Sequence, residues 1–206
     1  DIPLAEGVLH AVDGINLFVN KGETLCVVGE SGCGKSLTSL AIMDLLPKAA
    51  NKAITALDLS GTSILNYSQK KMSDIRGNKM AMIFQEPMTS LNPAYSIGNQ
   101  LMEAMLRHKK ISKGEARDRA VELLQKVGIT DAENRLRQFP HQLSGGLRQR
   151  VMIAMSLMCG PDLIIADEPT TALDVTIQAQ ILSLLKELQD DLGMGLLLIT
   201  HDMGVV

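Results

Sequence analysis

The sequence has no apolar run that approaches the roughly 18 residues of a membrane-spanning helix. Its most apolar stretch, residues 151–166, is interrupted by Gly160, Pro161 and Asp162. The N-terminus shows no signal peptide, with its charged, apolar and small-residue succession. Positive charge is not in excess: 20 Lys and Arg face 23 Asp and Glu, for a net charge of −3, so a nucleic-acid partner is not expected. Cysteine is scarce. Cys26, Cys33 and Cys159 lack metal-ligand spacing, and two of them lie in or beside a glycine-rich loop, which points to a reducing compartment rather than a disulfide scaffold. Aromatic residues make up only 2%, and none precedes Phe18. There is no internal repeat and no low-complexity segment. What remains is a 206-residue, 46% hydrophobic chain, suited to one domain with an ordinary core. It opens on Asp1 rather than Met and breaks off mid-pattern at Val205 and Val206, which reads as a piece of a longer protein.

Four short apolar runs read as buried parallel strands: residues 24–28, 80–84, 163–166 and 195–199. They are nearly continuous rather than alternating, as expected where helices cover both faces of a sheet. Helical spacing predicts helices over 36–46, 115–127 and 176–192. Strand–helix alternation implies an α/β, doubly wound core. Residues 54–67 alternate around Gly61, and with residues 8–19 they are expected to form a small N-terminal antiparallel sheet. A breaker-rich loop from Glu86 to Pro93 opens a helical region that reaches Met158. The expected organisation is a core over about 1–85 and 159–206, with an inserted helical subdomain over about 86–158.

The chemistry starts at Gly29-Glu30-Ser31-Gly32-Cys33-Gly34-Lys35-Ser36, followed by Leu37, which fits the phosphate-cradling pattern G-x-x-x-x-G-K-[ST]. Phosphates need several inward backbone N–H groups with no Cβ in the way, and a helix N-terminus behind them. Lys35 supplies a charge for the β- and γ-phosphates, and Ser36 a hydroxyl for Mg²⁺. Asp167 and Glu168 end an apolar strand, where adjacent carboxylates need a cation nearby. Asp167 suits the metal and Glu168 the attacking water. Gln85 follows another strand and can reach metal and water through its amide. His201 follows a third, where it can sense a γ-phosphate. Ser144-Gly145-Gly146 opens a helix that is apolar nearly all round, a second anion site that one chain cannot easily bring to the same triphosphate. Taken singly, these are an acidic turn, a polar strand end, a structural histidine and a helix cap. The complete glycine loop is what joins them.

Together these residues resemble the nucleotide-binding domain of ABC transporters, over essentially the whole chain. The resemblance implies a P-loop NTPase (RecA-like) core in a single domain over 1–206, trimmed at both ends. It makes Gly29 to Ser36 the Walker A loop, Gln85 the Q-loop glutamine, residues 143–147 the signature, residues 163–167 Walker B, residues 171–174 the D-loop and His201 the switch histidine. The strings from Ile83 to Pro93, Pro140 to Arg150 and Ala166 to Asp174 are similar to those of oligopeptide, dipeptide and nickel importer ATPases, and to the glutathione importers. Two departures stand out. Leu147 replaces the usual signature glutamine, and the adenine-stacking aromatic residue is expected before Asp1.

The function implied is an ATPase using ATP and Mg²⁺ to energise import of peptides or similar small solutes. Lys35, Gln85, Glu168 and His201 carry catalysis, and Ser36, Gln85 and Asp167 serve the metal. Ser144, Gly145, Gly146 and Asp174 act in trans, on ATP held by a second ABC ATPase domain, identical or related. The other implied partners are two transmembrane permease subunits and, indirectly, a solute-binding protein. The implied location is the cytoplasmic face of the inner membrane. Rival readings are a non-transport ABC ATPase, against which stand the missing basic patches and the lack of coiled-coil or zinc insertions, and an inactive nucleotide-binding fragment.

Overall fold

The computed structural model describes residues 1–4, 7–171, 173–202 and 204. Strands β1 (Ile2–Leu4) and β2 (Gly7–Leu9) form an antiparallel ribbon. Then β3 (Thr24–Val28) leads through the glycine loop into α1 (Lys35–Ile42). A second ribbon, β4 (Asp58–Leu59) with β5 (Thr62–Ser63), is followed by α2 (Gln69–Ile75) and β6 (Met80–Ile83). Helices dominate next: α3 (Pro87–Ser90), α4 (Ile97–His108), α5 (Lys113–Lys126), α6 (Ala132–Arg135), a 3₁₀ turn at Pro140–Gln142 and α7 (Gly145–Leu157). The chain then returns to the sheet with β7 (Leu163–Asp167), α8 (Val175–Leu192) and β8 (Gly195–Thr200).

The central sheet is wholly parallel, in the order β3-β8-β7-β6. Its strands bury alternate residues on opposite faces. Ile164, Ala166, Leu196 and Leu198 join α7 and α8 in one core, with Val151, Ile153, Leu157, Ile181 and Leu185. Ile165, Leu197 and Ile199 face the other way, onto Met43 after α1 and Met72 of α2. Ile164 and Ile165 have no exposed surface, and full burial of such a side chain contributes about 1.5–3 kcal/mol. Both faces are therefore apolar, which is why these strands read as continuous hydrophobic runs.

Five of the helices start at a side-chain cap. Ser68, Ser96, Ser112, Ser144 and Asp174 each accept a backbone N–H from the first turn. Helix α1 stops four residues before the expected 46. Asp44 adopts a left-handed conformation (φ 53°), and the Arg76 guanidinium donates to the freed carbonyls of Met43 and Asp44 at 2.8 and 3.0 Å. The antiparallel content is present, but its pairing differs from expectation. Residues 7–9 pair with 2–4, residues 58–59 pair with 62–63, and among the described residues the two ribbons do not join. Phe18 is not in a strand; it lies in an irregular segment and is 76% exposed. Among the described residues no helix is long and apolar enough to cross a membrane.

Candidate active site

Register sets the site. Val28 lies opposite Thr200, Asp167 opposite Ile199, and Ile83 opposite Ala166. The residues just past these strand ends are Gly29, His201, Glu168 and, one further on, Gln85. They gather along one edge of the sheet, the carboxyl edge where open α/β sheets place their ligands.

The loop between β3 and α1 has the shape of an anion cradle. Gly32 and Gly34 have φ of 85° and 93°, which favours glycine. A Cβ on Gly34 would lie 2.4 Å from the Ala11 carbonyl oxygen, so the loop is also braced from below. Lys35 is 6% exposed. Its ammonium donates to the carbonyls of Gly29 and Glu30, both at 2.7 Å, and lies 3.8 Å from Glu168 Oε1. A cation is thus held beneath the loop, next to the first free N–H groups of α1.

Asp167 and Glu168 are 5% and 8% exposed. The Ser36 hydroxyl donates to Asp167 Oδ1 at 2.9 Å, across 131 residues of sequence. Burial, aided by the neighbouring Glu168 charge, pushes the Asp167 carboxyl above its ordinary value, while the Ser36 hydrogen bond and Lys35 pull the other way. Two buried carboxylates facing one lysine leave room for further positive charge. Among the described residues no cluster of three or more His, Cys, Asp or Glu forms a metal cage. Mg²⁺ does not need one, since it binds through one or two carboxylates, waters and substrate phosphates. The Ser36–Asp167 oxygen pair fits that ion.

Three donors converge on one oxygen of Glu168. Gln85 Nε2, Thr171 Oγ1 and His201 Nδ1 lie 3.0, 2.8 and 3.1 Å from Oε2. The backbone of Glu168 is left-handed, with φ 46°, a strain of about 1–3 kcal/mol for a residue other than glycine. It is retained because the Glu168 N–H donates to the Ile199 carbonyl at 2.9 Å. Gln85 was expected to serve metal and water; here its amide is engaged with Glu168. The sequence places Thr171 only at the start of the D-loop. Its hydrogen bond to Glu168 follows from the Glu168 turn, which no local pattern encodes.

The residues expected to act in trans lie elsewhere. Ser144 and Asp174 are exposed, and each caps its own helix. Gly145 and Gly146 face Leu173 and Ile177; a Cβ on Gly146 would come within 3.2 Å of Ile177 Cγ2. The start of α7 and the start of α8 therefore form one exposed patch. Leu147, in place of the usual glutamine, packs partly buried against the core. Ala172, inside the expected D-loop, lies outside the described residues.

The ABC transporter profile matches residues 12–171. The chain belongs to the ABC transporter family. Among its relatives, the probable peptide ABC transporter ATP-binding protein y4tR of Sinorhizobium fredii is 52% identical, over 98% of this chain and 60% of that protein. The dipeptide transport ATP-binding protein DppD of Bacillus subtilis is 55% identical, over 97% of this chain and 60% of its own length. This ABC chain thus spans about 60% of the length of the curated relatives it matches. The dimeric, post-hydrolysis structure of the ATP-binding cassette MJ0796, bound to ADP and Pi, matches with a TM-score of 0.85 at 29% identity. That match covers 98% of this chain and 85% of the neighbour.

Proposed function

We propose that this chain binds and hydrolyses ATP as the motor part of a subunit that energises an importer of peptides or similar small solutes. The observation that carries this is the convergence, on one sheet edge, of the Lys35–Ser36 phosphate cradle with a Glu168 carboxylate held by three donors. The names of the relatives support the peptide class.

On this reading the loop N–H groups and Lys35 bind the β- and γ-phosphates. Ser36 and Asp167 hold Mg²⁺, which supplies charge to offset that on the transferred phosphoryl group. Glu168 accepts a proton from the attacking water, and His201 and Gln85 hold it in place. Catalysis is then largely positioning and charge stabilisation.

Ser144, Gly145, Gly146 and Asp174 serve ATP on a second ABC ATPase domain, identical or related. The dimeric state of the MJ0796 neighbour supports that arrangement. Two permease subunits, reached near the loop after Gln85, would hold the pair at the cytoplasmic face of the inner membrane, with a solute-binding protein delivering cargo. Residues 86–158 form the helical subdomain of a single ABC domain.

Glu168→Gln tests the assignment in the full-length subunit within its transporter. The amide keeps an oxygen acceptor but is not a base. Hydrolysis should fall at least about a hundredfold while binding of a fluorescent ATP analogue persists. Unchanged turnover would remove Glu168 from the mechanism.

A further inference from the structure

We propose that Thr171 is a positioning residue that fixes which oxygen of Glu168 receives the proton. The inference rests on Glu168 being the base. Thr171 grips Glu168 at both ends. Its N–H donates to the Glu168 carbonyl at 3.3 Å, closing a four-residue turn, and its hydroxyl donates to Oε2 at 2.8 Å. Pro169 stands at the second position of that turn, where its fixed φ is favoured.

An ionised carboxylate has about two acceptor directions on each oxygen. Oε2, with Gln85, Thr171 and His201, is saturated. Among the described residues, Oε1 has only the Lys35 ammonium at 3.8 Å, on the side of the phosphate loop. Oε1 is therefore the proton acceptor, and Oε2 the anchor. Of the three anchoring donors, the Thr171 hydroxyl is the nearest and comes from the shortest side chain. It belongs to a β-branched residue with few rotamers and is tied to the same turn as the carboxylate. Gln85 and His201 arrive from separate strands, at 3.0 and 3.1 Å. Thr171, like Gln85 and His201, is exposed whereas Glu168 is buried, so the three donors together lie between Oε2 and solvent.

The test is steady-state ATP hydrolysis by the assembled transporter carrying full-length Thr171→Val, Thr171→Ala or Thr171→Ser subunits. Val keeps the shape and loses the hydroxyl, and Ala loses it with less bulk. Neither touches the core, because the side chain is exposed. Both should lower kcat at least about tenfold with the KM for ATP unchanged, and Ser should restore most of the rate. Wild-type kcat in Val and Ala, a rise in KM with kcat intact, or failure of Ser to rescue would each overturn the proposal. Glu168→Gln, run alongside, separates the two readings. If it stops turnover while Thr171→Val does not, only the Thr171 inference falls. If it leaves turnover intact, the base assignment falls and takes this inference with it.

Discussion

Cys33 is exposed inside the phosphate loop, whereas Cys159 is buried and Cys26 half-buried, and burial pushes the thiols of both Cys26 and Cys159 up. A maleimide should therefore label Cys33 first. Its sulfur lies 3.9 Å from the Lys35 ammonium, so the adduct should block nucleotide binding, and MgATP should slow the labelling. Mass spectrometry showing equal labelling rates with and without MgATP would refute this. The gathering of Lys35, Ser36, Gln85, Asp167, Glu168 and His201 on one edge was legible in the sequence, the first two through the complete glycine pattern and the others because each ends or follows an apolar run, and parallel runs end on one edge. What lay beyond reach depends on backbone geometry. The left-handed Glu168 turn turns Thr171 onto the carboxylate, and no residue pattern announces it. The same applies to the hydrogen bond from Gln85 to Glu168, where the expectation was metal and water.

Helix α5 begins with a reciprocal cap: the Glu115 N–H donates to the Ser112 hydroxyl, and the Ser112 N–H donates to the Glu115 carboxylate. The Ser112 N–H, and then its hydroxyl, hold the Glu115 carboxyl below its ordinary value. A group with a depressed folded value stabilises the fold above its unfolded value, and that contribution fades as pH falls through the folded one. Glu115→Ala should accordingly destabilise the protein at neutral pH, and the difference should shrink below about pH 4. Urea titrations at several pH values would show it; a constant difference down to strongly acidic pH would refute it. The four core strands were readable to within a residue, because burial on both faces makes them uniformly apolar. The two ribbons were not, since two- and three-residue strands carry no pattern that names a partner. The early end of α1 was equally hidden, for it depends on Arg76 arriving from α2's far end to cap Met43 and Asp44.

Across the whole molecule, the exposed patch at the starts of α7 and α8 predicts dependence on a second copy. If Ser144 and Asp174 serve a neighbour's ATP, the specific activity of the chain alone should drop on dilution. Activity that stays flat down to nanomolar protein would show that one chain suffices. The sheet order carries a different consequence, for synthesis on the ribosome. Strand β3 bears the phosphate loop, and among the described residues its ladder partner is β8, with Thr24 opposite Leu196. At ordinary elongation rates the gap of about 170 residues takes roughly 10–35 s to translate. For that interval the nascent β3 has no parallel partner, and its Leu25, Cys26 and Val27 have no neighbouring strand to lie against. The nucleotide cradle, encoded early, is thus among the last parts of the chain to acquire its shape, and a nascent polypeptide stalled before β8 has a glycine loop without the strand pairing that would hold it.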